Sequence, residues 1–302
     1  MLHITNGESV SLLQSGLPGQ VVFWNDVLAE GPVPRGLPLR ELSRIRERFL
    51  ADFFDLPHSE VSFAQRDETL AHFRDHEEVV LWFEHDLFDQ LQLVQLLDWF
   101  AAQDLGQTRL SLVSSSSYLG PLRPEELPPL FQMRHTVTNA ELKTAQAAWD
   151  AFRSPHPLDL AGLLNEDLSA LPFLRSALLR HLQQFPDVSC GLARTEKQIL
   201  HLTSGGLHQF GELFLADQKL EECIFMGDTT FRQYLNGLSK AKDPLLRQTG
   251  AEYQITTFGE QVLVGKADHV RANGINRWLG GVHLCEGAPL WRWNESTQTV
   301  TT

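Results

Sequence analysis

Cysteine is scarce in this 302-residue chain: Cys190, Cys223 and Cys285 are odd in number and far apart. They offer neither a disulfide framework nor the paired spacing of a zinc site, so a reducing, cytoplasmic setting is expected. Long apolar runs are missing too. None approaches the roughly 20 residues of a membrane span, and the opening MLHITNGESV lacks the basic and apolar regions of a secretion signal. Positive charge is in deficit, with 25 Lys+Arg against 38 Asp+Glu and a net charge of −13. Residues 1–189 carry 14 Lys+Arg against 26 Asp+Glu, whereas residues 190–302 stand near balance at 11 against 12. An acidic front half is a poor partner for phosphate backbones, whose binding relies on counterion release by basic surface. The split also predicts two units, as the length allows. Signature motifs are absent as well. There is no G-x-G-x-x-G and no phosphate loop with its Lys, and SSSSYLG (114–120) is not a nucleophile elbow. HFRDH (72–76) places Phe73 where a zinc peptidase has Glu.

What is present alternates. LHIT (2–5), QVVFW (20–24), VVLWF (79–83) and RLSLVS (109–114) read as strands, QVVFW and VVLWF as buried ones, and HTVT (135–138) as a fifth. Helical patterns separate them: a short one within 6–16, then 39–54, 59–76, 87–103, 123–132, and one capped by Asn139 that runs to Phe152. EGPVPRGLP (30–38) is excluded from regular structure by its three prolines. Nearly continuous apolar strands between helices predict an α/β fold, a mostly parallel Rossmann-like sheet covered on both faces. We place this domain at 1–152 and a helical connector at 153–190. From 191 to 302 three helices and two short strands around a Gly turn predict a smaller winged-helix-like α+β domain. Its third helix brings Arg232, Lys240 and Lys242, but also Asp228 and Asp243. The tail of 191–302 is dense in Trp and Gly, so Trp278, Trp291 and Trp293 are expected to pack on something, either the other domain or a second copy.

In open α/β sheets, ligands settle beyond the carboxyl ends of the strands. Four segments stand there: Asn6-Gly7-Glu8-Ser9, Asn25-Asp26, Glu84-His85-Asp86 and Ser114 to Ser117. If the strands are parallel, these meet at one rim. Crowded carboxylates split in pKa, so one can accept a proton while another stays ionised. Asp26, Glu84, His85 and Asp86 are therefore catalytic candidates. Asn6, Gly7, Ser9, Glu30, Ser115 and Ser116 are ligand-binding candidates, the Asn6–Ser9 turn for an anionic group. Asp26, Glu84 and Asp86 could also hold Mg²⁺ or Mn²⁺. A plainer reading stands beside this one: Asp86 is well placed as an N-cap, with Glu84 and His85 satisfied by backbone.

LHITNGES, VVFWNDVLAEGPVP and VVLWFEHDLFDQLQLVQLLDWF together resemble the bacterial family called domain of unknown function 1835, over about residues 1–130. Its members open on a strand ending near Asn-Gly-Asp-Ser, continue to a Trp-x-Asp…Glu-Gly-Pro turn and carry Trp-Phe-Glu-His-Asp. Glu8 departs from that pattern, where Asp is expected. The resemblance implies a shared site but brings no established activity. The parts fit hydrolysis or group transfer on a phosphate-bearing small molecule or nucleotide. The alternatives are a ligand-sensing regulator that binds DNA through the winged helix, and a protein-interaction module.

Overall fold

The computed structural model describes residues 1–302. In chain order the first half lays down β1 (Leu2–Thr5), β2 (Gln20–Phe23), β3 (Gly31–Pro32), α1 (Leu39–Phe54) and α2 (Ala64–Ala71), then β4 (Glu78–Phe83), α3 (Leu87–Ala101), β5 (Arg109–Ser114), α4 (Leu127–Gln132), β6 (His135–Thr136) and α5 (Asn139–Phe152). Five of these strands form one sheet in the order β2-β1-β4-β5-β6, parallel throughout except for β6, which runs antiparallel at the edge. The chain steps from β1 outward to β2, then returns to the other side of β1 for β4 and β5. The order therefore reverses between β1 and β4, and their carboxyl ends stand side by side, with Thr5 opposite Trp82.

Burial explains why β4 is central: all six of its residues are buried. Val79, Leu81 and Phe83 join the large core on one face, while Val80 and Trp82 join a smaller core with Phe131 on the other. This is the period-two alternation of a doubly covered strand. Glu78 lies in the same strand and is tied to Arg109, Arg134 and Ser111 at 2.7–2.8 Å. Those donors hold its carboxyl down at about 2 against the opposing effect of burial.

Helix α3 differs from its expected form. Its Leu87, Leu91, Val94 and Leu97 stripe faces inward as the spacing requires, yet Gln90, Gln92 and Gln95 are buried too. α5 and, from the second half, α7 (Leu174–Leu182) both pack on α3, and the three amides find partners inside: Gln90 Nε2 donates to Glu84 O, Gln92 Nε2 to Asn6 Oδ1 and Asp26 O, and Gln95 Oε1 accepts from Trp24 Nε1. The helix before β4 also comes out shorter, as α2 with a 3-10 turn at Phe73–Asp75. The N-cap of α5 is Thr138 rather than Asn139: its Oγ1 accepts Glu141 N at 3.2 Å, and the Glu141 carboxylate returns to Thr138 N at 2.7 Å. That capping box satisfies two helix-end donors at once.

The rest of the chain supplies α6 (Pro157–Leu163), α7, α8 (Arg194–Ser204), α9 (Phe210–Gln218), α10 (Asp228–Lys240), the hairpin β7 (Leu246–Thr249) and β8 (Glu252–Ile255), α11 (Thr257–Leu263), α12 (His269–Asn273), and two further hairpins, β9 (Arg277–Gly280) with β10 (Val282–Leu284), and β11 (Arg292–Asn294) with β12 (Thr299–Thr301). The Trp/Gly-rich tail returns to the front half. β9 pairs in parallel with β3, so Gly31 and Pro32 do make a short strand, against expectation. Pro32 fits there because β3 is the edge of its sheet and needs no inward donor. Trp293 is buried, and Val188 N donates to its carbonyl. One large core runs from Leu2 to Val300, so the front domain, the connector and the back half share it. No helix is long and apolar enough to cross a membrane.

Candidate functional site

The rim at the reversal is built from three loops. After β1, Asn6 donates to the Asp89 carboxylate and accepts from Gln92 Nε2 at 2.7 Å. The same Gln92 nitrogen reaches the Asp26 carbonyl at 2.6 Å, so the ends of β1 and β2 are tied to α3 by one amide. After β4, Asp86 caps α3 by accepting Phe88 N at 2.9 Å and Asp89 N at 3.2 Å. Asp89, one turn in, takes Glu84 N at 2.8 Å. After β5, Leu119 N donates to Glu84 Oε1 at 2.6 Å, and Ser9 lies against Gly120. Asn6, Ser9, Glu84, His85 and Asp86 are thus brought together.

Three carboxyls crowd this rim, and burial moves all of them. It raises Glu84 and pushes Asp86 up to about 7, with the charge of Glu84 adding to the latter. Asp89 is raised well above the ordinary carboxylate range by burial, with Asp86 beside it adding to the effect. Acids that share a site cannot all ionise, so the cluster retains a proton near neutral pH. Asp89 is not singled out by the sequence pattern; an Asp three residues beyond an N-cap Asp, followed by Gln90, Gln92 and Gln95 on an otherwise apolar helix, was the available signal.

Other candidates go elsewhere. The Asp26 side chain turns inward to a fully buried pair with Arg46 at 2.8 Å, and Arg46 also binds the Glu30 and Val27 carbonyls at 2.6 and 2.8 Å. Asp26 is therefore not a rim acid, because Arg46 of α1 needs it. Glu30 points into the junction of the two halves, where it accepts from Tyr234 and from Arg277. Ser115 closes its own turn, with Oγ donating to Ser117 O at 2.6 Å, and with Ser116 it borders a separate cavity of about 480 Å³. Gly7 adopts no left-handed backbone, and the expected helix after it is only a 3-10 turn at Leu12–Gln14. The Asn6–Ser9 turn therefore has no helix dipole behind it for holding an anion. Nor do Asp26, Glu84 and Asp86 fit a resident Mg²⁺ or Mn²⁺. Their oxygens face a guanidinium, a loop amide and a helix N-terminus, and nowhere do three or more His, Cys, Asp or Glu side chains gather as a ligand set.

His85 reaches from the rim into a cleft of about 190 Å³ shared with the second half. Its ring lies 4.7 Å from Tyr118, whose hydroxyl accepts Ile224 N at 2.6 Å and so pins the loop after α9 over the rim. Helix α7 contributes Arg180, the start of α8 Arg194, and the pinned loop Glu221, Glu222 and Cys223. Arg180 grips Glu221 through two bonds of 2.7 and 2.8 Å and gives a third to Thr195, while Arg194 pairs with Glu222 at 2.8 Å. Burial raises the Cys223 thiol, so it is not primed as a thiolate. Behind this lining two buried nitrogens have no hydrogen-bond partner, His85 Nδ1 and Arg180 Nη1, and the Arg180 guanidinium lies 4.9 Å from the centre of the Phe225 ring. Arg180 itself is only 7% exposed. Sequence reasoning missed Arg180, although an arginine inside the apolar run LRSALLRHL was the signal.

Comparison with family models, with curated proteins and with solved structures returns no match to this chain.

Proposed function

We propose that the protein is an enzyme of hydrolysis or group transfer that takes a phosphate-bearing small molecule in the His85–Arg180 cleft. The meeting of His85 with the buried Arg180 and with Arg194 on the lining of one cleft carries this reading. Arg180 also keeps one buried N–H without a protein acceptor, at a cost of roughly 1–3 kcal/mol or more for a charged group, and a shift of its side chain would bring that donor to a bound anion. Phosphate oxygens accept well from guanidinium groups, of which the cleft offers two, Arg180 and Arg194. The imidazole would then sit against the bound group as acid or base, next to carboxyls that hold a shared proton. The location agrees with a Rossmann-like reading of the sheet, in which ligands bind where the strand order reverses, and with the resemblance of residues 1–130 to a family sharing the Glu-His-Asp segment.

The test uses the full chain with nucleotides and sugar phosphates as probes. His85→Gln should lower turnover by about 10²–10⁴-fold, the usual worth of a positioned acid/base, while Arg180→Lys should weaken binding. Turnover and binding both unchanged in the folded variants would overturn the reading; binding without turnover would leave a ligand sensor. That second reading has one observation in its favour. The third helix of the winged-helix-like segment, α10, packs on α1 and hands Tyr234 to Glu30, a route from the front half to a helix whose outer face shows Arg232 and Lys240. Retention on immobilised DNA with a steep loss as salt rises would select it.

A further inference from the structure

The two arginines on the cleft's lining are matched there by two carboxylates, Glu221 and Glu222. An incoming anion therefore gains from the guanidinium groups only if a carboxylate gives way. The two glutamates are held very differently. The Glu221 side chain is 5% exposed and takes two bonds from the buried Arg180. The Glu222 side chain is 73% exposed and meets Arg194 through one hydrogen bond of 2.8 Å. Breaking a buried pair strands a charge, whereas an exposed pair contributes little and parts easily.

The chain around Glu222 permits the movement. Residues 222–226 make no backbone–backbone hydrogen bond. Side chains hold the far end of this turn: Tyr118 Oη accepts Ile224 N at 2.6 Å, Gln218 Nε2 donates to Met226 O at 3.1 Å, and Phe225 packs edge-on against Phe88. Ahead of those anchors, the Glu222 side chain is held by Arg194 alone. The same pair stands on a partition. A neighbouring cavity of about 870 Å³ shares Leu179, Gln183, Arg194 and Glu222 with the cleft, so the two are parts of one groove. At about 190 Å³ the cleft alone is smaller than the roughly 300–1,000 Å³ of a small-molecule site.

We propose that Glu222 is a displaceable internal anion: it occupies Arg194 until the phosphate of a ligand takes its place. The carboxylate then swings to solvent and the partition parts. Arg194 stays aimed by Gln183, whose Oε1 accepts its Nη1 at 2.7 Å, and turns its other nitrogen from Glu222 to the phosphate. A phosphate that takes donors from both guanidinium groups outcompetes a carboxylate holding one bond. Glu221 remains with Arg180. This role for Glu222 rests on the phosphate reading of the cleft.

Calorimetric titration of the full chain with inorganic phosphate tests it. Glu222→Gln, a change at an exposed position, should tighten phosphate binding about fivefold by removing the competitor. Glu222→Asp keeps the charge but falls one methylene short of Arg194, and should still tighten binding about twofold. A gain in the Gln variant with none in the Asp variant would reduce Glu222 to a diffuse negative charge and overturn the displacement. Phosphate binding that neither substitution tightens would overturn it too, while leaving the phosphate reading of the cleft in place. If phosphate binds neither the parent nor the variants, both readings fall.

Discussion

At the scale of single residues, the rim acids make a pH-dependent cost that the sequence pattern alone does not show. Asp86 is held at about 7 in the folded chain against 3.8 for the free group. Between those values the native state binds more protons than the unfolded one, so this residue's contribution to stability falls as pH rises and the loss is complete above 7. Asp86→Asn keeps a good N-cap and removes the titration. It should stabilise the protein by on the order of 1–3 kcal/mol at pH 8 and by much less at pH 5, as read from urea midpoints at the two values. His181 carries the opposite sign. Burial between Phe152 and Phe185 holds its imidazole down to about 3, with the positive charges of Arg277 and Arg180 adding to the effect. Its neutral form is needed for the fold, so the stability it contributes is present above about 6.5 and drains away as pH falls toward 3. Replacing His181 with Phe should flatten the acid side of the stability profile. An acid limb as steep in that variant as in the parent would show that other groups set it.

At the scale of elements, the tail hairpin depends on two glycines that no helix or strand pattern explains. A Cβ on Gly281 would stand 2.0 Å from the Arg153 carbonyl oxygen, and one on Gly280 would stand 2.5 Å from that of Phe152. The hairpin crosses the end of α5 at backbone contact, with Gly281 N donating to Phe152 O at 3.0 Å. Gly281→Ala should cost about 2–3 kcal/mol through overpacking, seen as a lower denaturation midpoint with an unchanged slope. The contrast shows what was legible beforehand. α1 begins and ends where its periodicity and turn residues place it, and α5 ends at the expected Phe152 with its start one residue early, because those signals act within a few residues. Convergence of Asn6, Ser9 and the 84–86 triplet was legible too, since a parallel sheet sends every strand end to one edge. The destinations of Asp26 and Glu30 were not. Each is claimed by a distant cation, Arg46 in α1 and Arg277 in β9, and nothing near position 26 or 30 announces that partner. The cleft was hidden for the same reason, its basic half coming from α7 and α8.

At the scale of the whole molecule, the two halves are joined through polar groups as well as through the shared core. Tyr234 of α10 sits at the junction: its hydroxyl donates to Glu30, accepts from Gln184 Nε2 at 2.7 Å and accepts from Arg277 Nη2 at 2.5 Å. Desolvation raises this phenol far above its ordinary range, the carboxylate it binds adding to that, so it stays a neutral donor at any working pH. One hydroxyl thereby serves the front half, the connector and the tail. Tyr234→Phe keeps the ring and strands Gln184 Nε2 without its acceptor, a loss of about 1–3 kcal/mol. Because the core is continuous, that loss should appear in one place only. Unfolding of the variant should remain a single transition, shifted to lower denaturant, with far-ultraviolet circular dichroism and tryptophan fluorescence coincident. Trp24 and Trp82 report from the front half and Trp293 from the tail, all buried. If the fluorescence change split into two steps, the halves would be separate cooperative units. The groove between them would then be a hinge, and its ligand should raise the midpoint of both steps together.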